Sequence, residues 1–312
     1  MRLRNALLST PLAVIALLGA GCGAARTNGG AGAPSGRAAG PILSSIKPAA
    51  QDGPQKIAVG LSVNLKGTLK DPSAAMVLGS GPISLDLAGP VDAAGKAADL
   101  TFAVKAGSID LSGAVRVAGD TGYVRLGDKW YALPPGSIAP GTGGTGTGTD
   151  PAKLIEAIGD PAALIKDATV VGGEDVDGIP TDHVAGEVDT AQILTIVGRL
   201  AGSVNTSASP IDPQQIADAA AKLGQAVKRA RVDVWIGTTD KQVHKITIDT
   251  EIAFDAKTKD SSGLDGLNAT LSVTSTPTAS PDVTAPAGAL PAEQLSKDLG
   301  ALLLSGLGAP TP

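Results

Sequence analysis

The chain has 312 residues, a formal net charge of −5 and 43% hydrophobic residues, enough for one large domain or two small ones with a real core. No long Lys/Arg run occurs, which argues against a nucleic-acid surface, and 41 glycines with 22 prolines argue against a helical bundle. Aromatics make up only 2% of the chain, so Ala, Val, Leu and Ile must fill the interior.

Residues 1–21 read as an export signal. Arg2 and Arg4 form a positive n-region, and residues 12–18 form an apolar run ending in small residues. That run is too short to remain in a membrane as a spanning helix. It leads into Gly19-Ala20-Gly21-Cys22, and Cys22 is the sole cysteine. These residues resemble a bacterial lipobox, although Gly19 stands where the usual Leu would be. A lipobox implies diacylglycerol on the cysteine sulfur and often acylation of the new N-terminus, with palmitate among the expected chains. The plainer alternative is a secreted protein with one free thiol. Two or three acyl chains anchor stably where one holds only marginally, and a lone cysteine rules out an intramolecular disulfide framework. Residues 22–40 are then a lipidated tether, rich in Gly, Ala, Ser and Arg.

Next, residues 41–50 suggest a short helix, with Ile42 and Ile46 four apart on one face. Residues 56–68 alternate cleanly: Ile57, Val59, Leu61, Val63 and Leu65 share one face, as in a half-buried strand. Further strands are expected at 75–78, 83–87, 98–104 and 108–113. Residues 115–133 read as a three-strand meander, 115–118, 121–126 and 129–133. Gly119-Asp120 and Gly127-Asp128 supply its turns.

After Leu133 the pattern changes. A Pro/Gly/Thr loop ends at Asp150-Pro151, and Asp as N-cap with Pro at the first helical position starts a helix. Leu154, Ile155 and Ile158 form its apolar stripe. Asp160-Pro161 repeats the signal, with Leu164 and Ile165 behind it. Residues 169–176 and 179–188 read as a hairpin around Asp177-Gly178. Thr190 caps a third helix, carrying Ile193, Leu194 and Val197, and Asp212-Pro213 opens a fourth through about Ala230. Strands return at 232–237, 243–254 and 269–276, the last after a Gly/Asp-containing loop. Residues 291–307 are an apolar helix or a loosely attached tail. The order implies α+β: one curved antiparallel sheet with helices gathered on one side.

Few residues suggest chemistry. Gly141, Gly143 and Gly146 match a dinucleotide fingerprint by spacing, but no strand precedes them and the repetition is compositional. His183 and His244 lie on different expected strands. Catalysis or metal binding would need several convergent partners around either one. Asp175-x-Asp177-Gly178 resembles a fragment of a calcium loop without its later ligands, and a hairpin turn explains it. No cofactor, metal or catalytic set is therefore assigned. The helical stripes are open to two readings. They are core, or they line a dry cavity under a sheet that does not close, and such a cavity suits acyl chains at about 0.8 kcal/mol per methylene buried.

Several segments together resemble a known family. Val115–Leu133 carries V-x-V-x-G-D-x-x-Y-V-R-L-x-x-K-W-Y-x-L. Asp150-Pro151 with its Leu/Ile helix follows, then VVGGEDVDGIPTDHVAGEVD from Val170 and VDVWIGTTDKQVHKITI from Val232. With the lipobox at Cys22, this frame resembles the LppX/LprA/LprF/LprG-type lipoproteins over residues 41–286. The resemblance implies a LolA/LolB-like fold, a strongly curved antiparallel β-sheet forming a half-open barrel with helices covering one face. It implies a hydrophobic cavity that carries acylated lipids or lipoglycans outside the cytoplasmic membrane, and it brings no catalytic residues. The helices at Pro151 and Pro161 match the segment lining the cavity entrance in the family. The expected protein is therefore non-enzymatic and lipid-anchored on the extracytoplasmic face of the cell membrane. Its lipid-attachment residue is Cys22, and Leu154, Ile155, Ile158, Leu164, Ile165, Ile193, Leu194 and Val197 are its lipid-binding candidates. Expected partners are an acylated lipid or lipoglycan, the membrane through the anchor, and a membrane exporter. Residues 287–312 follow as a C-terminal helix or tail. The alternative is a non-enzymatic cell-envelope binding or regulatory module with a closed core.

Overall fold

The computed structural model describes residues 37–47, 53–72, 75, 81–134, 165–188 and 226–306, the last six of them by backbone alone. Chain order begins with α1 (Ala39–Ser44), β1 (Gln55–Gly67), β2 (Ile83–Asp92), β3 (Ala97–Ala106), β4 (Ile109–Ala118), β5 (Thr121–Leu126) and β6 (Lys129–Ala132). It continues with β7 (Ile165–Val176), β8 (Ile179–Val188), β9 (Val227–Gly237), β10 (Val243–Ala253), α2 (Ala256–Ser262), β11 (Leu264–Pro277), β12 (Leu290–Pro291) and α3 (Ala292–Gly306). The strands form one twelve-stranded sheet in the order β12-β6-β5-β4-β3-β2-β1-β11-β10-β9-β8-β7. All neighbours are antiparallel except β12, which runs parallel to β6. The sheet is open, with β12 and β7 at its edges.

Period-2 patterning explains most of these strands. Ile57, Val59, Leu61 and Val63 of β1 are buried, while Lys56 and Asn64 on the other parity are exposed. Because β1 pairs with β2 on one side and β11 on the other, this alternation propagates across the sheet. Val59 lies between Leu87 and Val273, and Leu61 lies between Leu85 and Leu271. Turn chemistry also acts as expected at Asp177-Gly178, where the Gly178 amide donates to Asp175 Oδ1 at 2.6 Å. That contact makes Asp175 a turn residue.

One ion pair reports the bend of the sheet. Lys56 at the start of β1 meets Asp177, in the β7–β8 turn, at 2.8 Å. Strands β11, β10 and β9 lie between β1 and β8, and four steps in a flat sheet would separate them by about 19 Å. A single lysine side chain cannot span that gap, so the sheet curves or its hairpin folds over.

Several expected elements differ in the structure. Strands 108–113 and 115–118 are one continuous strand, β4, because Gly113 is paired on both sides and does not interrupt the ladder. Ala75 is helical, its amide donating to the Asp71 carbonyl at 2.9 Å, and does not open a strand. Ile165 is not behind a helix: it starts β7, opposite Val188. The fourth helix does not reach Ala230, since β9 begins at Val227 and Ala230 pairs with Thr250. Pairing with β10 overrides the helix preference of that Ala/Lys/Arg-rich stretch. The loop before β11 contains α2. Asp255 caps it by accepting from the Thr258 amide at 2.7 Å, and Gly263 ends it at φ 82°, where other residues would be strained.

The C-terminal segment is helical and attached. Leu290 and Pro291 pair with Tyr131 and Ala132, and Asp298 of α3 accepts from Tyr131 Oη at 2.7 Å and from Lys129 Nζ at 3.0 Å. The Tyr131 hydrogen bond leads, with Lys129 and Gln294, in holding the Asp298 carboxyl down at about 2. The same contact pushes the Tyr131 phenol up to about 12. The depressed carboxyl contributes stability above its ordinary 3.8 that is lost as pH falls through about 2. The raised phenol contributes below its ordinary 10.0 and loses its share as pH rises through about 12. Hydrogen exchange across α3 should therefore stay slow from mild acid to mild alkali and accelerate only at these two extremes. Equal exchange of α3 in wild type and Asp298→Asn at neutral pH would show that the contact does not hold the helix.

Candidate functional site

The two faces of the sheet differ chemically. On one face the register aligns Val184, Val232, Val234, Ile246, Ile248, Leu271 and Val273 with Val59, Leu61, Leu85 and Leu87. It then continues through Phe102, Val104, Leu111, Val115 and Val124 to Tyr131. At the β7 end this face is covered: Ile42 and Leu43 of α1 pack with Val170, Val184, Val234 and Ile236. Toward the middle of the sheet the same face is only partly buried. Ile246, Ile248, Leu271, Val273, Leu85, Leu87, Phe102 and Val104 all keep accessible surface. These partly buried apolar side chains lie in β2 and β3 on one side of the buried Val59 and Leu61 of β1 and in β10 and β11 on the other, and together they form an apolar surface.

The opposite face is polar, and it holds the histidine expected to be a plain strand residue. His183 sits between two carboxylates from different strands, with Nδ1 2.9 Å from Glu174 Oε1 and Nε2 2.8 Å from Asp233 Oδ1. An ionised carboxylate only accepts, so each ring nitrogen bonds its carboxylate when it carries a hydrogen. Its plane stacks on Trp235 at 4.3 Å and 14°. Trp235 Nε1 donates to Glu174 Oε2 at 2.8 Å, and the Lys245 ammonium lies 4.1 Å from the indole centroid. Arg231 completes the cluster with two bonds of 2.9 Å to Asp233. Burial pushes Asp233 up, but the bonds from His183 and Arg231 outweigh it and hold the carboxyl below its ordinary range. Glu174 is likewise lowered against burial, by Trp235 and His183. Both nitrogens of His183 are occupied, so the ring has no free position to act as a base. The cluster ties β7, β8, β9 and β10 together.

His244 is similarly engaged and 2% exposed. Its Nδ1 donates to the Ser275 carbonyl at 3.1 Å, and its Nε2 lies 2.9 Å from Asp240 Oδ2. Asp182, adjacent to His183, points to the other face and accepts from Arg37 Nη1 at 2.7 Å. Among the described residues no group of three or more His, Cys, Asp or Glu could hold a metal, and no described helix is long and apolar enough to cross a membrane.

Of the lipid-binding candidates, the structure describes Ile165 alone. It is 9% exposed and packs in the same cluster as Val170, Val188 and α1. Leu154, Ile155, Ile158, Leu164, Ile193, Leu194, Val197, the glycines at 141–146 and Cys22 lie outside the described residues. Sequence reasoning missed the His183 cluster, for which the only signal was polar residues at strand positions. It also did not single out the half-exposed apolar row, although the alternation in β1 pointed to it.

No family model matches the chain, and no curated protein matches it. Thirteen chains of solved structures do, LprF and LppX among them. This chain is similar to LprF and LppX. The crystal structure of LprF from Mycobacterium bovis is 17% identical over 83% of this chain and 100% of that one, with a TM-score of 0.38. The crystal structure of the Mycobacterium tuberculosis lipoprotein LppX is 15% identical over 70% of this chain and 84% of that one, with a TM-score of 0.27.

Proposed function

We propose that this protein is a lipid-anchored, extracytoplasmic, non-enzymatic lipoprotein that binds and carries acylated lipid or lipoglycan. In this reading Cys22 is the acylated anchor at the cell membrane and residues 22–36 are the tether, shorter than the expected 22–40 because Arg37 pairs with Asp182 and Ala39 is buried in the fold. Residues 41–286 form the lipid-binding domain, and residues 287–312 follow it. The observation that supports the reading is the half-exposed apolar row of Leu85, Leu87, Phe102, Val104, Ile246, Ile248, Leu271 and Val273. At about 0.8 kcal/mol per methylene, part of one acyl chain laid on this row provides a large driving force. Leu154, Ile155, Ile158, Leu164, Ile165, Ile193, Leu194 and Val197 are the proposed further lining, and a membrane exporter is the proposed source or recipient of the cargo.

The test uses the chain from residue 23, which lacks the anchor, so any lipid found is bound cargo. Native mass spectrometry and organic extraction should recover acylated lipid at a defined stoichiometry. Leu85→Gln and Ile158→Gln should each lower that occupancy several-fold, with the far-UV spectrum of the sheet unchanged. A mass that stays lipid-free after incubation with membrane lipids would instead favour a closed-core envelope-binding or regulatory module.

A further inference from the structure

The polar face carries a second concavity, on the opposite side of the sheet from the apolar row. It is a groove of about 390 Å³ running across β1 to β5. Its floor is made of small side chains, Ala58, Ala88, Ala103 and Ser112, and its walls include Asp86 and Arg125. The register puts these residues on one face: Ala58 pairs with Ala88, Asp86 with Ala103, Ala103 with Ser112, and Arg125 with Ala114 two residues on. The groove exists because four adjacent strands present little more than a methyl or hydroxyl there.

Arg125 is the distinctive group in this groove. Many other cations of the sheet have a carboxylate: Lys56 has Asp177, Lys66 has Glu251, Lys105 has Asp110, and Arg116 has Asp99. Arg125 makes no ion pair among the described residues. Its guanidinium carbon instead lies 5.7 Å from the centroid of the Trp130 ring, with that of Arg116 5.0 Å from the same ring. Its Nε is buried and has no protein acceptor. Stacking on the indole restricts the guanidinium plane; among its N–H groups Nε–H is the one shown without an acceptor, as it also is in Arg116. A planar guanidinium fork matches the paired oxygens of a carboxylate or a phosphodiester. The Asp86 carboxylate in the same groove opposes negative charge, about twice as strongly for a dianion as for a monoanion.

We propose that the groove between β1 and β5 binds a monovalent oxyanion, a carboxylate or a phosphodiester, through Arg125. The ligand is a free solute or the headgroup of a lipid at the membrane surface. Leu87 and Phe102 of the apolar row also line this groove, but the inference rests on Arg125 and stands whether or not acyl lipid binds on the other face.

The experiment follows the Arg125 Nε–Hε signal of the full chain by heteronuclear NMR, assigned by its loss in Arg125→Gln. Sodium acetate and dimethyl phosphate are titrated separately at constant ionic strength, with sodium chloride as reference. The expected result is a saturable shift of the Arg125 signal, at millimolar or lower concentration, with one of the two oxyanions. Neither should produce a saturable shift of the Arg229 Nε signal. Vesicles of phosphatidylglycerol and of phosphatidylcholine then identify the source. Phosphatidylglycerol binding that falls several-fold in Arg125→Gln assigns the anion to a headgroup, and equal vesicle binding of the two proteins assigns it to a free solute. A shift no different from that with chloride overturns the proposal. Arg125→Lys, which keeps the charge but loses the fork, should weaken binding about ten-fold, whereas a purely structural role of Arg125 would leave the acetate and dimethyl phosphate curves unchanged.

Discussion

His183→Phe should lower the stability of the protein by about 3 kcal/mol, read as a lower urea midpoint with an unchanged slope. Phenylalanine preserves a ring that can stack on Trp235, where the imidazole lies at 4.3 Å. It removes both ring nitrogens, which lie 2.9 Å from Glu174 and 2.8 Å from Asp233. The loss falls mainly on Asp233, whose side chain is 11% exposed and cannot recover its hydration. Arg231 still pairs with it, which keeps the cost below that of an isolated buried charge. Glu174, with a side chain 49% exposed, is largely screened by water, so Glu174→Gln should change stability by less than about 1 kcal/mol. If His183→Phe were as mild as Glu174→Gln, the cluster would be decoration on an already stable hairpin.

Gly113→Ala should be comparably damaging, at about 3 kcal/mol, the upper end of what overpacking costs. A Cβ at this position would lie 2.2 Å from the Arg125 carbonyl oxygen and 2.5 Å from Phe102 Cζ. Phe102 can turn aside, but the carbonyl belongs to the backbone of the neighbouring strand and moves only if β4 and β5 separate. Gly172→Ala is the matched control, because a Cβ there meets nothing within 4 Å. Urea unfolding of the two variants separates a steric effect from a general loss of glycine. Equal midpoints for both would mean that the sheet absorbs the added methyl and that the close approach carries no constraint. The altered β4–β5 spacing in Gly113→Ala should also disturb the groove beside Arg125, whereas the apolar row at Leu271 and Val273 should keep its packing.

The strands were legible wherever one face is buried and one is wet. In β1 the alternation from Ile57 to Leu65 is visible residue by residue, and Gly119-Asp120, Gly127-Asp128 and Asp177-Gly178 mark turns by their own conformational chemistry. Helix α2 was legible in principle. Asp255 three residues before Thr258, with Gly263 beyond, is a capping pattern that the surrounding Gly/Asp content obscured. Residues 227–230 were not legible, because Val-Lys-Arg-Ala has no alternation of its own and becomes a strand only by pairing with β10. Gly113 shows the opposite failure: read locally it is a break, yet its missing side chain is what lets Phe102 cross β4.

By itself, the sequence determined what depends on local chemistry: the period-2 strands and the tight turns. Only the tertiary structure decided what depends on strand order. It joined Glu174, His183 and Asp233 from three strands, and it left Arg125 beside a floor of small residues drawn from β1 to β4. It also aligned the partly buried apolar side chains of β2, β3, β10 and β11 on one face, on either side of the buried Val59 and Leu61 of β1. The physical reason is that alternation specifies which residues of a strand share a face but not which strand lies beside it. Neighbours in this sheet are as distant in sequence as β1 and β11, and only their pairing turns single rows of side chains into sites.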